Sequence, residues 1–145
     1  MVYSSIIGRL AKLKDASKTF NYHVPFPATV EELKETAARL GIAFTSRAKD
    51  LYLAFNGLET SNPALEILSL DKLILTDKLL HFATFDYSVK ICFDSSYIND
   101  AGEWSILNSQ TNYTLTLSLN SFLSNKLWHW LEKGKPIWND NFWLS

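Results

Sequence analysis

The chain has 145 residues, 47% hydrophobic and 20% charged, with a formal net charge of -1. Such a length and composition fit one globular domain and exclude a disordered chain, and the near-neutral total lacks the basic excess of a nucleic-acid binder. The charge is unevenly placed, with eight basic residues against five acidic through Gly57 and six against ten afterwards, so the second part is mildly acidic.

Cys92 is the only cysteine, which leaves no internal disulfide or cysteine-based zinc site and suits a reducing, cytoplasmic location. The start, MVYSSIIGRLAKLKD, lacks the basic region, apolar region and cleavage site of a signal peptide, and no apolar run reaches spanning length. Tyr3, Ile6, Ile7, Leu10 and Leu13 recur at helical intervals and predict a core-facing helix over residues 2 to 18. The same basic amphipathic pattern is also found on helices that lie on membranes. FNYHVPFP reads as an ordered aromatic connector, because each proline holds the residue before it in an extended conformation.

Thr29 and Glu32 have capping-box spacing and Gly41 is a good C-terminal cap, so a second helix is expected over residues 30 to 40. A third begins after Thr45 or Ser46, with Ala48, Leu51, Tyr52 and Phe55 as its stripe and Asn56-Gly57 as a left-handed stop. From Leu65 the signals become short β-rich runs, LEILS, LLHFATF, SVKICFD, EWSIL and YTLTLS, which predict five strands. Their alternation predicts a sheet with one covered face. In the last helix Leu119, Phe122, Leu123, Leu127, Trp130 and Leu131 fall on one side at 100° per residue, which puts Trp130 in the core and Trp128 opposite. The tail IWNDNFWLS, with Ile137, Trp138, Phe142 and Trp143, is expected to fold back and cover Trp128.

None of the motifs GxSxG, HExxH, CxxC, GxGxxG or the P-loop is present. A hairpin turning at Asp86-Tyr87 sets His81 opposite Cys92, the best base and nucleophile in the chain. No third residue orients them, so a packed cysteine and a structural histidine are expected, and His23 and His129 are read as structural too. Four carboxylates, Asp86, Asp94, Asp100 and Glu103, lie in FDYSVKICFDSSYINDAGE with Lys90 as the only positive charge. They form either a solvated rim or a steering surface for a basic partner, with Tyr97 and Tyr87 as aromatic contacts and Trp128 as the next candidate. Their spacing is not that of a calcium loop, and no metal or cofactor is expected.

Taken together, ATVEELKETAARLGIAFTSRAKDLYLAFNGLE, EILSLDKLI and LLHFATFDYSVKICFD resemble the SUKH superfamily, over roughly residues 28 to 133. The best signature is the helix ending in Asn56-Gly57, preceded by the helix end at Leu40-Gly41. The chain departs from the family's usual Leu-Pro at Phe44-Thr45 and from its second glycine at Leu58. The resemblance implies an α+β fold, helices around a largely antiparallel sheet, in agreement with the elements read above. It also implies a non-catalytic, protein-binding role. Bacterial members of that superfamily neutralise a cognate toxin, frequently a nuclease, and fungal members regulate cell-wall glucan synthesis. The expected partner is thus a protein, a toxin encoded nearby, with a regulator or scaffold of the cell-wall type and an enzyme using Cys92 and His81 as the alternatives.

Overall fold

The computed structural model describes residues 2 to 139. Helix α1 (Val2–Ala16) stops two residues short of the predicted end, where Phe20 is drawn into the core. Helix α2 (Val30–Leu40) has the predicted capping box, Glu32 N donating to Thr29 Oγ1 at 3.1 Å and Thr29 N to Glu32 Oε1 at 2.9 Å, and closes on Gly41 at φ 69°. Helix α3 (Ser46–Ala54) starts at its Thr45 cap but ends on Phe55 in an extended conformation, not on a left-handed residue. Asn56-Gly57 does a different job from the helix stop expected of it. Asn56 Oδ1 accepts from Leu70 N at 2.9 Å, and Gly57, at φ +105°, lets the chain pass so close to the next strand that a Cβ there would sit 2.7 Å from Ile67 O.

Among the described residues the sheet has eight strands, not five: β1 (Asn21–His23), β2 (Leu58–Ser61), β3 (Leu65–Ile67), β4 (Ile74–Thr76), β5 (Leu79–Phe85), β6 (Val89–Asp94), β7 (Ser105–Asn108) and β8 (Thr114–Thr116). All pairs are antiparallel, in the order β1-β2-β3-β5-β6-β7-β8. Strand β4 shares an edge of β5 with β3, pairing Leu79 to His81 while β3 pairs Ala83 to Phe85, and the ladder of β5 with β6 shifts between His81 and Ala83. The three unpredicted strands, β1, β2 and β4, have only three or four residues each. Strand β1 lies in the stretch read as a connector and is an edge strand, where nearby prolines are tolerated.

One sheet face carries Leu80, Phe82, Phe85, Ile91, Phe93 and Ile106 into a core shared with Tyr3, Ile6 and Leu10 of α1 and with Leu51, Tyr52 and Phe55. Full burial of each large apolar side chain contributes about 1.5–3 kcal/mol. Phe82 stacks on Phe93 with centroids 3.8 Å apart, and the buried Tyr52 hydroxyl donates to Leu68 O at 2.7 Å. The fold is α+β.

The C-terminal helix corrects the expected roles of two tryptophans. Helix α4 (Leu119–Ser121) runs through a π-helical stretch, Phe122–Lys126, into α5 (Leu127–Lys133). A π turn closes on i→i+5 hydrogen bonds and holds one residue more than an α turn, so it advances the buried stripe by one position. The buried set beyond it becomes Leu127, Trp128 and Leu131. Trp128 is 3% exposed, donates Nε1–H to Leu123 O at 2.8 Å, and is covered by α1, whose Arg9 guanidinium lies 4.3 Å above the ring. It is therefore not free for a partner. Trp130, expected in the core, is half-buried, donates to Ala64 O at 2.9 Å and meets the edge of Trp138 at 4.9 Å. Ile137 and Trp138 do fold back, Trp138 onto Phe85, while Phe142 and Trp143 lie outside the described residues.

Candidate interaction surface

The acidic segment occupies two ends of the sheet. Asp86 and Tyr87 are the central residues of a hairpin turn closed by Ser88 N donating to Phe85 O at 3.3 Å, both at positive φ, 52° and 67°, and with Phe85 paired to Val89 the loop holds three residues. Tyr87 is 81% exposed. Asp94 and Asp100 lie at the other end of β6, whose six residues span about 17 Å at 3.3–3.4 Å per residue. The structure thus groups Asp94, Tyr97 and Asp100 and separates them from Asp86 and Tyr87.

Glu103 belongs to neither group. It is 8% exposed, and its Oε1 accepts from Leu119 N at 2.9 Å, satisfying a first-turn amide of the C-terminal helix. Its expected place on a solvated rim is therefore corrected: the carboxylate serves the helix start.

Residues 95 to 104 form a loop held by its own polar groups. Asn99 Nδ2 donates to Leu117 O at 2.9 Å and Ser105 Oγ at 3.1 Å, while its Oδ1 accepts from Ala101 N at 2.9 Å and Glu103 N at 3.3 Å. Gly102, at φ 75°, closes the turn by donating to Asn99 O at 2.9 Å. At the loop's start Ser95 gives both its amide and its hydroxyl to Lys78 O, at 2.8 and 2.7 Å, and Asp94 accepts from Ser96 N at 3.0 Å. The Tyr97 hydroxyl meets Ser105 Oγ at 3.1 Å, leaving the ring half exposed. Ile98 and Leu117 are also exposed, at 57% and 50%. Apolar side chains flanked by carboxylates on a loop this constrained are pre-organised for contact, because little conformational entropy remains to be lost on binding. Ile98, Leu117 and Asn99 escaped the sequence reading, yet the Asn-x-x-Gly spacing at residues 99 to 102 is a turn signal that marks the loop.

His81 and Cys92 are paired in register across β5 and β6, as the hairpin predicts. They share a concavity of about 320 Å³ with Ile74, Leu79, Lys90 and Ser109. His81 Nε2 is engaged by Ala83 O at 3.0 Å and Thr84 Oγ1 at 2.9 Å, and burial lowers its pKa. Burial pushes the Cys92 thiol up, against a smaller opposing pull from the Ser109 hydroxyl and Lys90. The neutral thiol is thus favoured at pH 7, opposite to what an activated nucleophile needs. Native Cys92 is expected to react with a neutral-pH thiol reagent far more slowly than the unfolded chain does, and stability should fall as pH rises above the ordinary thiol range, where only the unfolded thiol ionises readily. Fast native labelling at neutral pH would refute this.

Among the described residues no group of three or more His, Cys, Asp or Glu side chains is arranged to hold a metal, and no helix is long and apolar enough to cross a membrane. No protein-family model matches the chain, and no curated protein matches it.

Proposed function

We propose that the chain is a non-catalytic protein-binding module of the SUKH kind, an immunity protein that neutralises a toxin encoded nearby. The observation that carries the reading is the constrained loop of residues 95 to 104, which presents Tyr97 and Ile98 beside Asp94 and Asp100. Tyrosine supplies contact area with a polar tip, and carboxylates around it speed encounter with a basic protein. Inhibition by such a module needs only an interface of ordinary size laid over the toxin's active site or substrate path.

The test is co-expression with the adjacent open reading frame, scoring rescue of growth and co-purification. With the purified pair, Asp94→Asn combined with Asp100→Asn is expected to slow association several-fold at low salt, on the order of 3- to 10-fold, with little difference at high salt. Tyr97→Ala is expected to act mainly on dissociation. Failure of both rescue and co-purification would defeat the proposal. Wild-type rates for the double variant in both salts would move the interface off this loop.

A further inference from the structure

Beside the loop lies a groove of about 640 Å³, between the segment after α2 and the turn joining β4 to β5. Its walls are Ile42, Ala43, Leu75, Ile98 and Trp104. Trp104 is a fixed floor, 5% exposed and packed against Phe93 at 5.6 Å and Phe44 at 6.3 Å. Ile98 stands on one wall and is 57% exposed.

We infer that this groove receives an apolar side chain carried on a basic segment of a partner protein. The inference rests on the reading of the chain as a protein-binding module and names the chemistry of what it binds. Three observations support it. The first is the lining: Ile42, Ala43, Leu75, Ile98 and Trp104 form its apolar part, and its one hydroxyl, Ser95 Oγ, is already spent on Lys78 O at 2.7 Å. An apolar side chain suits such walls, with Asp77 and Lys78 as the charged groups beside it. The second is charge. Asp77 lies in the groove's lining, Asp94 immediately precedes Ser95 and Asp100 lies on the loop, against the single cation Lys78. A segment with lysine or arginine flanking its apolar residue would meet three carboxylates, and an acidic segment would be repelled. The third is rigidity. The bonds from Ser95 to Lys78 O, and those made by Asn99, hold the wall that carries Ile98 before anything binds, so seating a residue costs little ordering of the loop.

The groove can be tested without knowing the partner, by panning a random linear peptide library displayed on phage against the folded chain. Enriched peptides are expected to combine lysine or arginine with leucine, isoleucine, phenylalanine or tryptophan. Synthetic copies should shift the amide resonances of Leu75, Ile98 and Trp104. Ile98→Asp, and separately Ala43→Arg at the exposed mouth, should weaken them by at least about tenfold. Both positions are exposed, so thermal melts of the two variants should match the parent, and having two keeps the test intact if one disturbs the loop. The inference is overturned if nothing is enriched, if the enriched peptides lack basic residues, or if they bind both variants as tightly as the parent. Co-purification of the adjacent gene's product undiminished by Ile98→Asp would overturn it while leaving the binding-module reading in place. Peptides lodged in the groove of a chain that neither rescues growth nor co-purifies would sustain it while the toxin reading fell.

Discussion

Replacing Trp128 with alanine is expected to cost about 3 to 5 kcal/mol in a denaturant melt, and clearly more than the same change at Trp130. The reason is depth and partners. Trp128 is 3% exposed, and its loss opens a cavity between α5 and α1, strands the Leu123 carbonyl that it satisfies and removes the ring beneath the Arg9 guanidinium. Arg9 would keep its exposed ion pair with Glu132 at 2.9 Å and its hydrogen bond to Ser124 O at 3.3 Å, and exposed pairs of that kind contribute little. Trp130 is half-buried and exchanges its packing on Trp138 for solvent, with one carbonyl bond to Ala64 lost. Equal losses, or a larger one at Trp130, would contradict the one-residue shift of the buried stripe. That shift can be checked on its own by deleting Asn125: with the extra residue gone, an uninterrupted α-helical count places Leu127, Trp128 and Leu131 on the stripe of Phe122 and Leu123, so Trp128 should stay shielded from solvent quenchers.

Gly57→Ala is the second large effect, expected at about 2 to 4 kcal/mol by the same measurement. Two causes act together. A φ of +105° lies where side-chain-bearing residues are strained, and the new Cβ would stand 2.7 Å from Ile67 O and 3.1 Å from Ser69 N, both backbone atoms that cannot swing aside. Gly41→Ala makes the control. Its φ is 69° and a Cβ there meets nothing within 4 Å, so only the conformational cost, about 1 kcal/mol, should be seen. If the two variants melt alike, the close approach of Gly57 to β3 does not hold in solution.

The two tryptophans and Gly57 also mark how far the sequence could be read. Helix α2 was legible to the residue because Thr29, Glu32 and Gly41 act locally, through bonds within three or four positions. The turn of the β5–β6 hairpin at Asp86-Tyr87 was legible for the same reason, while His81 meets Cys92 because the ladder shift between His81 and Ala83 offsets the third loop residue, Ser88. What was lost depended on contacts distant in sequence. Nothing in FNYHVPFP announces that Tyr22 will pair with Thr60 across two helices, and nothing in FLSNK announces a wide turn, since it forms where Phe122 and Leu123 have to fit the same core as Leu127 and Trp128. In the candidate surface, Asp94, Asp100 and Tyr97 stand out in the sequence by charge and residue type. Glu103 was misplaced because its partner, the Leu119 amide, is brought to it by tertiary packing alone, and the groove walls come from three separate stretches of chain.

From β2 to β8 the sheet is nearly a meander, each strand pairing with its neighbour in sequence except where β4 is set aside. Such a ladder can zip from any hairpin, because every new strand closes only a short loop. The pairing of β1 with β2 is the exception: Asn21 meets Ser61, and the intervening chain contains all of α2 and α3. Closing that loop is the costliest single step in assembling the sheet, and its return is only three residue pairs on an outer edge. The edge at β1 is accordingly the seam along which the domain opens with least loss, leaving the loop and groove at the far end of β6 undisturbed while it does so.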